Sequence, residues 1–210
     1  MKTKNNNLLK DLTNQSETRA GVRDGHCLTK EALRHVLREL RKINAKKVLQ
    51  IGTYNGYTAF EIYKHRPLRG VKVWTVDYIP EEPGNYNVCL TRKGHSRDEN
   101  MKRHKSIEKY LKDNNIKDIY LYINGSDEFF KNNKETFDAV IVHGDHAFEV
   151  AKRDMENALK CTKKGGLIFM IPAADKNEMH RNTVGVFWGY EGKKEYLPSR
   201  EGVGLIYVED

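Results

Sequence analysis

No apolar run in this chain approaches the roughly 18 residues needed to span a bilayer, and its first residues lack the apolar core of a secretory signal. A soluble, cytoplasmic protein with no membrane partner is therefore expected. Cysteine is scarce: Cys27, Cys89 and Cys161 are odd in number, far apart and free of any C-x-x-C spacing. That pattern excludes a disulfide framework and gives no sign of zinc or redox chemistry, so reduced thiols are expected. Nucleic-acid signatures are missing as well. There is no Arg/Gly tract, no series of aromatics interleaved with cations, and no Asn/Asp-Pro-Pro-Tyr/Phe motif of the kind amino-methylating DNA enzymes use. No internal repeat is present.

What is there suits one folded domain, since 210 residues bury a core without disulfide or metal staples. The chain is 38% apolar, 31% charged and 10% aromatic, polar for a globular protein but richer in aromatics than disordered chains. The net charge of +8 is concentrated at one end, because residues 1–47 carry 12 Lys+Arg against 5 Asp+Glu. Such an arm could touch phosphate. Solvated cations on exposed helix faces look the same in a sequence, and that reading is preferred over a nucleic-acid partner.

Residues 1–25 are polar and aperiodic, which predicts a flexible N-terminal arm, and residues 26–210 read as the domain. Thr29 is expected to cap a first helix carrying Leu33, Val36, Leu37 and Leu40, with Leu28 and Leu33 as a hydrophobic staple. Short apolar runs then alternate with helical stretches. Strands are predicted at 48–51, 71–76, 119–123, 139–142 and 167–171, and helices at 57–65, 98–114, 127–134, 147–161 and 177–188. Two last runs, 195–197 and 204–208, are placed to pair antiparallel at one edge. The alternation predicts an α/β, Rossmann-like, doubly wound and mostly parallel seven-stranded sheet with helices on both faces. The longest irregular link, 78–97, contains Pro80, Pro83 and Gly84 and has the length of a substrate loop, with plain disorder as the alternative.

Chemistry concentrates where the first strand ends. The turn Gly52-Thr53-Tyr54-Asn55-Gly56 separates strand from helix; its glycines permit close approach, and its exposed N–H groups favour a negative ligand group such as a carboxylate. Two glycines in a βα turn are by themselves a weak signal, strengthened here by position. The second strand ends in Asp77, placed to accept hydrogen bonds from both ribose hydroxyls of an adenosine-containing ligand, or else to cap a turn.

These segments, with 137–146, Lys164-Gly165-Gly166-Leu167-Ile168 and the later stretches 185–188 and 204–207, resemble class I S-adenosylmethionine-dependent methyltransferases. The likeness is to small O-methyltransferases of the catechol and macrocin types and covers residues 30–210. It implies S-adenosylmethionine as cofactor, held by Gln50, Gly52, Thr53, Tyr54, Asn55 and Gly56 around its methionine part and by Asp77 at its ribose. Ser126 and Asp127, after the third strand, would border adenine; either could instead cap the following helix. His143, at the end of the fourth strand, would line the same crevice.

The sequence also departs from that family. Gln50 stands where the first motif usually has a carboxylate, and it supplies no negative charge. Metal-using relatives have an aspartate at the His143 position and an acidic pair near Pro172-Ala173. Magnesium prefers oxygen ligands, so that site looks dismantled and no metal is expected. His143, Asp145 and His146, joined by Asp175 or His180, could alternatively form a transition-metal cluster. Asp145 or His146 would supply the proton acceptor, His146 favoured of the two with Asp145 orienting it or the acceptor; the simpler reading makes His146 a polar residue at a helix start and Asp145 that helix's N-cap.

The expected activity is methyl transfer to an oxygen, with nitrogen second, of a small-molecule acceptor. The alternative is an altered methyltransferase fold that binds a nucleoside or a macromolecule without turnover. A homodimer is an arrangement the resemblance allows.

Overall fold

The first helix, α1 (Lys30–Lys42), starts as expected: Thr29 accepts from the Ala32 amide through its side chain at 3.2 Å, and the chain then buries Ala32, Leu33, Val36 and Leu40 along one face. Leu28 and Leu33 are both buried in the core beneath it. The fold is that of a computed structural model, which describes residues 28–77, 97–123, 125–173 and 181–209. The expected N-terminal arm, Asp175, His180, Asn124 and almost all of the 78–97 link lie outside the described residues.

After α1 the elements are β1 (Lys47–Ile51), α2 (Tyr57–Lys64), β2 (Lys72–Val76), α3 (Arg97–Asp113), β3 (Ile119–Tyr122), α4 (Ser126–Asn132) and β4 (Phe137–Val142). Then come α5 (Phe148–Cys161), β5 (Thr162–Met170), α6 (Arg181–Gly189), β6 (Lys194–Leu197) and β7 (Val203–Tyr207). They build one seven-stranded sheet in the order β3-β2-β1-β4-β5-β7-β6. Strands β1 to β5 pair in parallel, while β7 runs antiparallel between β5 and β6. The expected class is thus observed.

Successive strand residues face opposite layers, which explains the unbroken apolar runs. Val48, Val73, Ala139 and Leu167 join the core under α1, α2 and α3, whereas their neighbours Leu49, Trp74, Val140 and Ile168 join the core under α4, α5 and α6. Asp138 ties the sheet's opposite end together: its carboxylate accepts from the Lys46 and Lys47 amides at 2.7 and 2.8 Å and from Lys163 at 2.7 Å. Burial pulls that carboxyl upward, but the three donors outweigh it and hold it below its ordinary range.

One strand differs from expectation. β5 begins at Thr162 rather than near 167, because Thr162 pairs with Phe137 before the register jumps to Ala139↔Leu167. The Lys163-Lys164-Gly165-Gly166 stretch rides in this bulge with Gly165 at φ +74°, a conformation glycine adopts without strain. Low β-propensity hid the strand in the sequence.

Candidate active site

The strand order reverses between β1 and β4, so the carboxyl ends of these two strands open a crevice at the topological switch point. Gly52 leaves β1 there with φ +94°, and a Cβ on it would overlap the carbonyl oxygen of His143, which follows β4. Glycine is obligatory at this crossing. The backbone is locked on the same side by the His143 amide donating to the Ile51 carbonyl at 3.0 Å. Gly56, at φ +76°, ends the turn and begins α2, where a Cβ would press on Phe60 and on Ile107 of α3 at 3.2 and 3.3 Å.

Polar side chains stitch this turn to its surroundings. Thr53 and Thr75 share a buried hydroxyl hydrogen bond of 2.7 Å, and Asn55 accepts from the Tyr57 amide at 3.0 Å. Gln50 is 2% exposed and donates its Nε2 to the Gly52 carbonyl at 2.5 Å. A carboxylate could not make that bond. The departure from the family's acid therefore has a structural use, since the amide closes the loop on itself. Its Oε1 remains buried with no hydrogen-bond partner among the described residues. An acceptor left so costs about 1–3 kcal/mol, and a ligand ammonium would satisfy it. The residues present thus fit an amino-acid-bearing nucleoside.

Asp77 lies across the turn. Its Oδ2 accepts from the Tyr54 amide at 3.1 Å and faces His104 Nε2 at 3.1 Å, while 27% of its side chain stays exposed. Arg103 stacks over the Tyr54 ring at 4.4 Å. His104, on α3, was not among the residues singled out from sequence. Its stripe, His104-Ile107-Leu111, has helical core spacing, and a histidine in such a stripe was the available signal.

After β3, Gly125 rather than Ser126 or Asp127 is the N-cap of α4. Ser126 donates to Asp154 Oδ1 at 2.6 Å, and Asp127 is ion-paired with Arg153 at 2.6 Å. Asp154 is 1% exposed, and burial, aided by Asp127 and Asp145 nearby, pushes its carboxyl up to about 6 against the pull of Ser126 and Arg153. It too was missed. An acid within the buried face Ala151-Asp154-Met155-Ala158 of α5 was visible in principle.

After β4, Asp145 Oδ1 accepts from the Ala147 amide at 2.9 Å, shaping the entry to α5 without being its N-cap, which is Ala147. His146 is buried, its Nδ1 3.3 Å from Thr183 Oγ1 of α6, and its ring centre lies 6.2 Å from that of His143. Lys194 secures α6 by donating to the carbonyls of Phe187, Trp188 and Tyr190 at its C-terminus, where a cation also complements the helix dipole. Trp188 donates from its indole to the Ala173 carbonyl at 3.1 Å, and Phe148 lies against Gly185. The structure therefore gathers Gln50, the 52–56 turn, Asp77 and His143 at one end of the crevice. It sets Ser126 and Asp127 beside α5.

A glycine turn, a carboxylate after β2 and a switch-point crevice stand together on a doubly wound α/β sheet, where ligands of such folds bind. A family model described as a methyltransferase domain matches residues 49–170, more than half of the 210-residue chain, and the chain belongs to that family. No curated protein matches it in sequence. Solved structures share its fold. The O-methyltransferase TomG from Streptomyces achromogenes, in complex with SAM, is 12% identical with a TM-score of 0.64, over 95% of this chain and 89% of that one. The SAH-bound methyltransferase PaMTH1 from Podospora anserina is 14% identical with a TM-score of 0.65, over 97% and 88%. An O-methyltransferase from Bacillus cereus in complex with SAH is 12% identical with a TM-score of 0.63, over 99% and 91%. Among the described residues no helix is long and apolar enough to cross a membrane.

Proposed function

We propose that this protein transfers the methyl group of S-adenosylmethionine to an oxygen, with nitrogen second, of a small-molecule acceptor. The observation that carries the reading is the pair formed by Gln50 Oε1, unpartnered among the described residues, and the partly exposed Asp77 carboxylate, both side chains bound to the glycine turn. Gln50 would accept from the ligand's ammonium, the Thr53 to Gly56 turn would receive its carboxylate, and Asp77 would bind its ribose hydroxyls. Ser126 and Asp127 would border adenine, with His143 lining the crevice between. Bound there, S-adenosylmethionine supplies an electrophilic methyl on a sulfonium.

The protein's share of the chemistry is positioning and proton transfer. His146 would take the acceptor's proton, its ring oriented through Nδ1 by Thr183. Asp145 would hold the turn that carries it. Phe148 and Trp188, both large, apolar and exposed, would contact the acceptor. Binding without turnover, raised by Gln50 and by the missing acidic pair, is not favoured beside the methyltransferase family match, and Gln50 itself builds the loop rather than breaking it. A cytoplasmic setting and a homodimer go with the same reading.

Titration calorimetry tests it. Wild-type protein should bind S-adenosylhomocysteine, and Asp77→Ala should weaken binding by about 1.5–3 kcal/mol, the value of hydrogen bonds to a charged acceptor. A wild-type protein that ignores the compound at millimolar concentration would overturn the assignment.

A further inference from the structure

Helix α3 makes three contacts with the glycine turn and Asp77, through residues that are neighbours on one helical face. Arg103 covers the Tyr54 ring, His104 meets Asp77 at 3.1 Å, and Ile107 comes against Gly56. Resting on the cofactor reading above, we propose that His104 is a positioning residue for the ribose site, which makes α3 a wall of the cofactor pocket. An ionised carboxylate only accepts, so the ring nitrogen facing Asp77 carries the proton and donates it. Together with the Tyr54 amide it fixes Oδ2, while 27% of the side chain stays exposed for a ligand.

The other ring nitrogen makes the case. His104 is 1% exposed, and its Nδ1 is buried with no hydrogen-bond partner among the described residues. The same stripe filled with leucine would pack apolar neighbours without stranding a polar atom. A histidine that is unfavourable for the core on one edge and bonded to a ligand-facing carboxylate on the other is placed for binding rather than for stability. The trade between the two is measurable.

The test is a double-mutant cycle read by calorimetry with S-adenosylhomocysteine, alongside thermal melts of the unliganded proteins. His104→Leu is expected to bind about 5- to 10-fold more weakly with an unchanged or raised Tm. His104→Gln, whose amide can still donate to Asp77, should stay within about twofold of wild type. In an Asp77→Ala background His104→Leu should cause no further loss. Turnover assays should show a raised KM for the methyl donor at constant kcat. Wild-type affinity in His104→Leu would overturn the proposal, as would an equal loss in the Asp77→Ala background, which marks a general packing role. Should His104→Leu fail to fold, His104→Asn, whose shorter amide falls short of Asp77, takes its place in the cycle. Failure of the wild-type protein to bind would refute the cofactor reading itself, and this inference with it.

Discussion

Asp154→Asn is expected to make the protein more stable at neutral pH. The wild-type carboxyl is 1% exposed on α5 and is pushed from its ordinary 3.8 to about 6, first by burial and then by Asp127 and Asp145, with Ser126 and Arg153 opposing. Because the folded value lies above the unfolded one, the folded protein binds more protons between them. Stability associated with this group is fully present below about 3.8 and is lost as pH rises through about 6. The gap between the two values corresponds to about 3 kcal/mol above pH 7. Asparagine keeps an oxygen to accept from Ser126 and carries no charge to desolvate. The variant should therefore gain up to about 3 kcal/mol at pH 7.5, or about 6–12 °C in Tm for a domain of this size. At pH 4 the gain should largely vanish. Urea unfolding of both proteins across pH 4 to 8 reads the difference, with an unchanged m-value confirming that the comparison concerns the same transition. Destabilisation at pH 7.5, or a difference that does not vary with pH, would refute the reasoning and show that ionised Asp154 is fully compensated.

Two further outcomes follow from the site. Activity should survive chelation, because His143 and Pro172-Ala173 put a ring nitrogen and apolar groups where metal-using relatives place carboxylates, and magnesium gives up its water reluctantly to such a site; loss of activity with EDTA and recovery with magnesium would show that other residues rebuild it. Once an acceptor is in hand, His146→Ala should lower the single-turnover rate about 10²- to 10⁴-fold with cofactor affinity nearly unchanged, whereas Asp145→Asn, which keeps the oxygen that accepts from Ala147, should fall much less. Near-normal rates in both would remove this segment from proton transfer.

The sequence by itself determined the sheet and the position of the glycine turn, because both depend on local signals. Apolar runs between helical stretches specify strands buried on two faces, and two glycines directly after the first of those runs mark a strand-to-helix turn. Asp77 was legible for the same reason, being fixed at the end of β2 a set distance along the chain. Tertiary structure decided everything that depends on what meets what across the sheet. The burial of Gln50 Oε1 without a partner among the described residues, the approach of His104 to Asp77, 27 residues away, and the bond of Ser126 to Asp154, 28 residues away, arise from elements packed together in three dimensions. A sequence marks a polar residue in an apolar stripe, but only packing names its partner, since hydrogen bonds act over about 3 Å and carry no trace of chain separation.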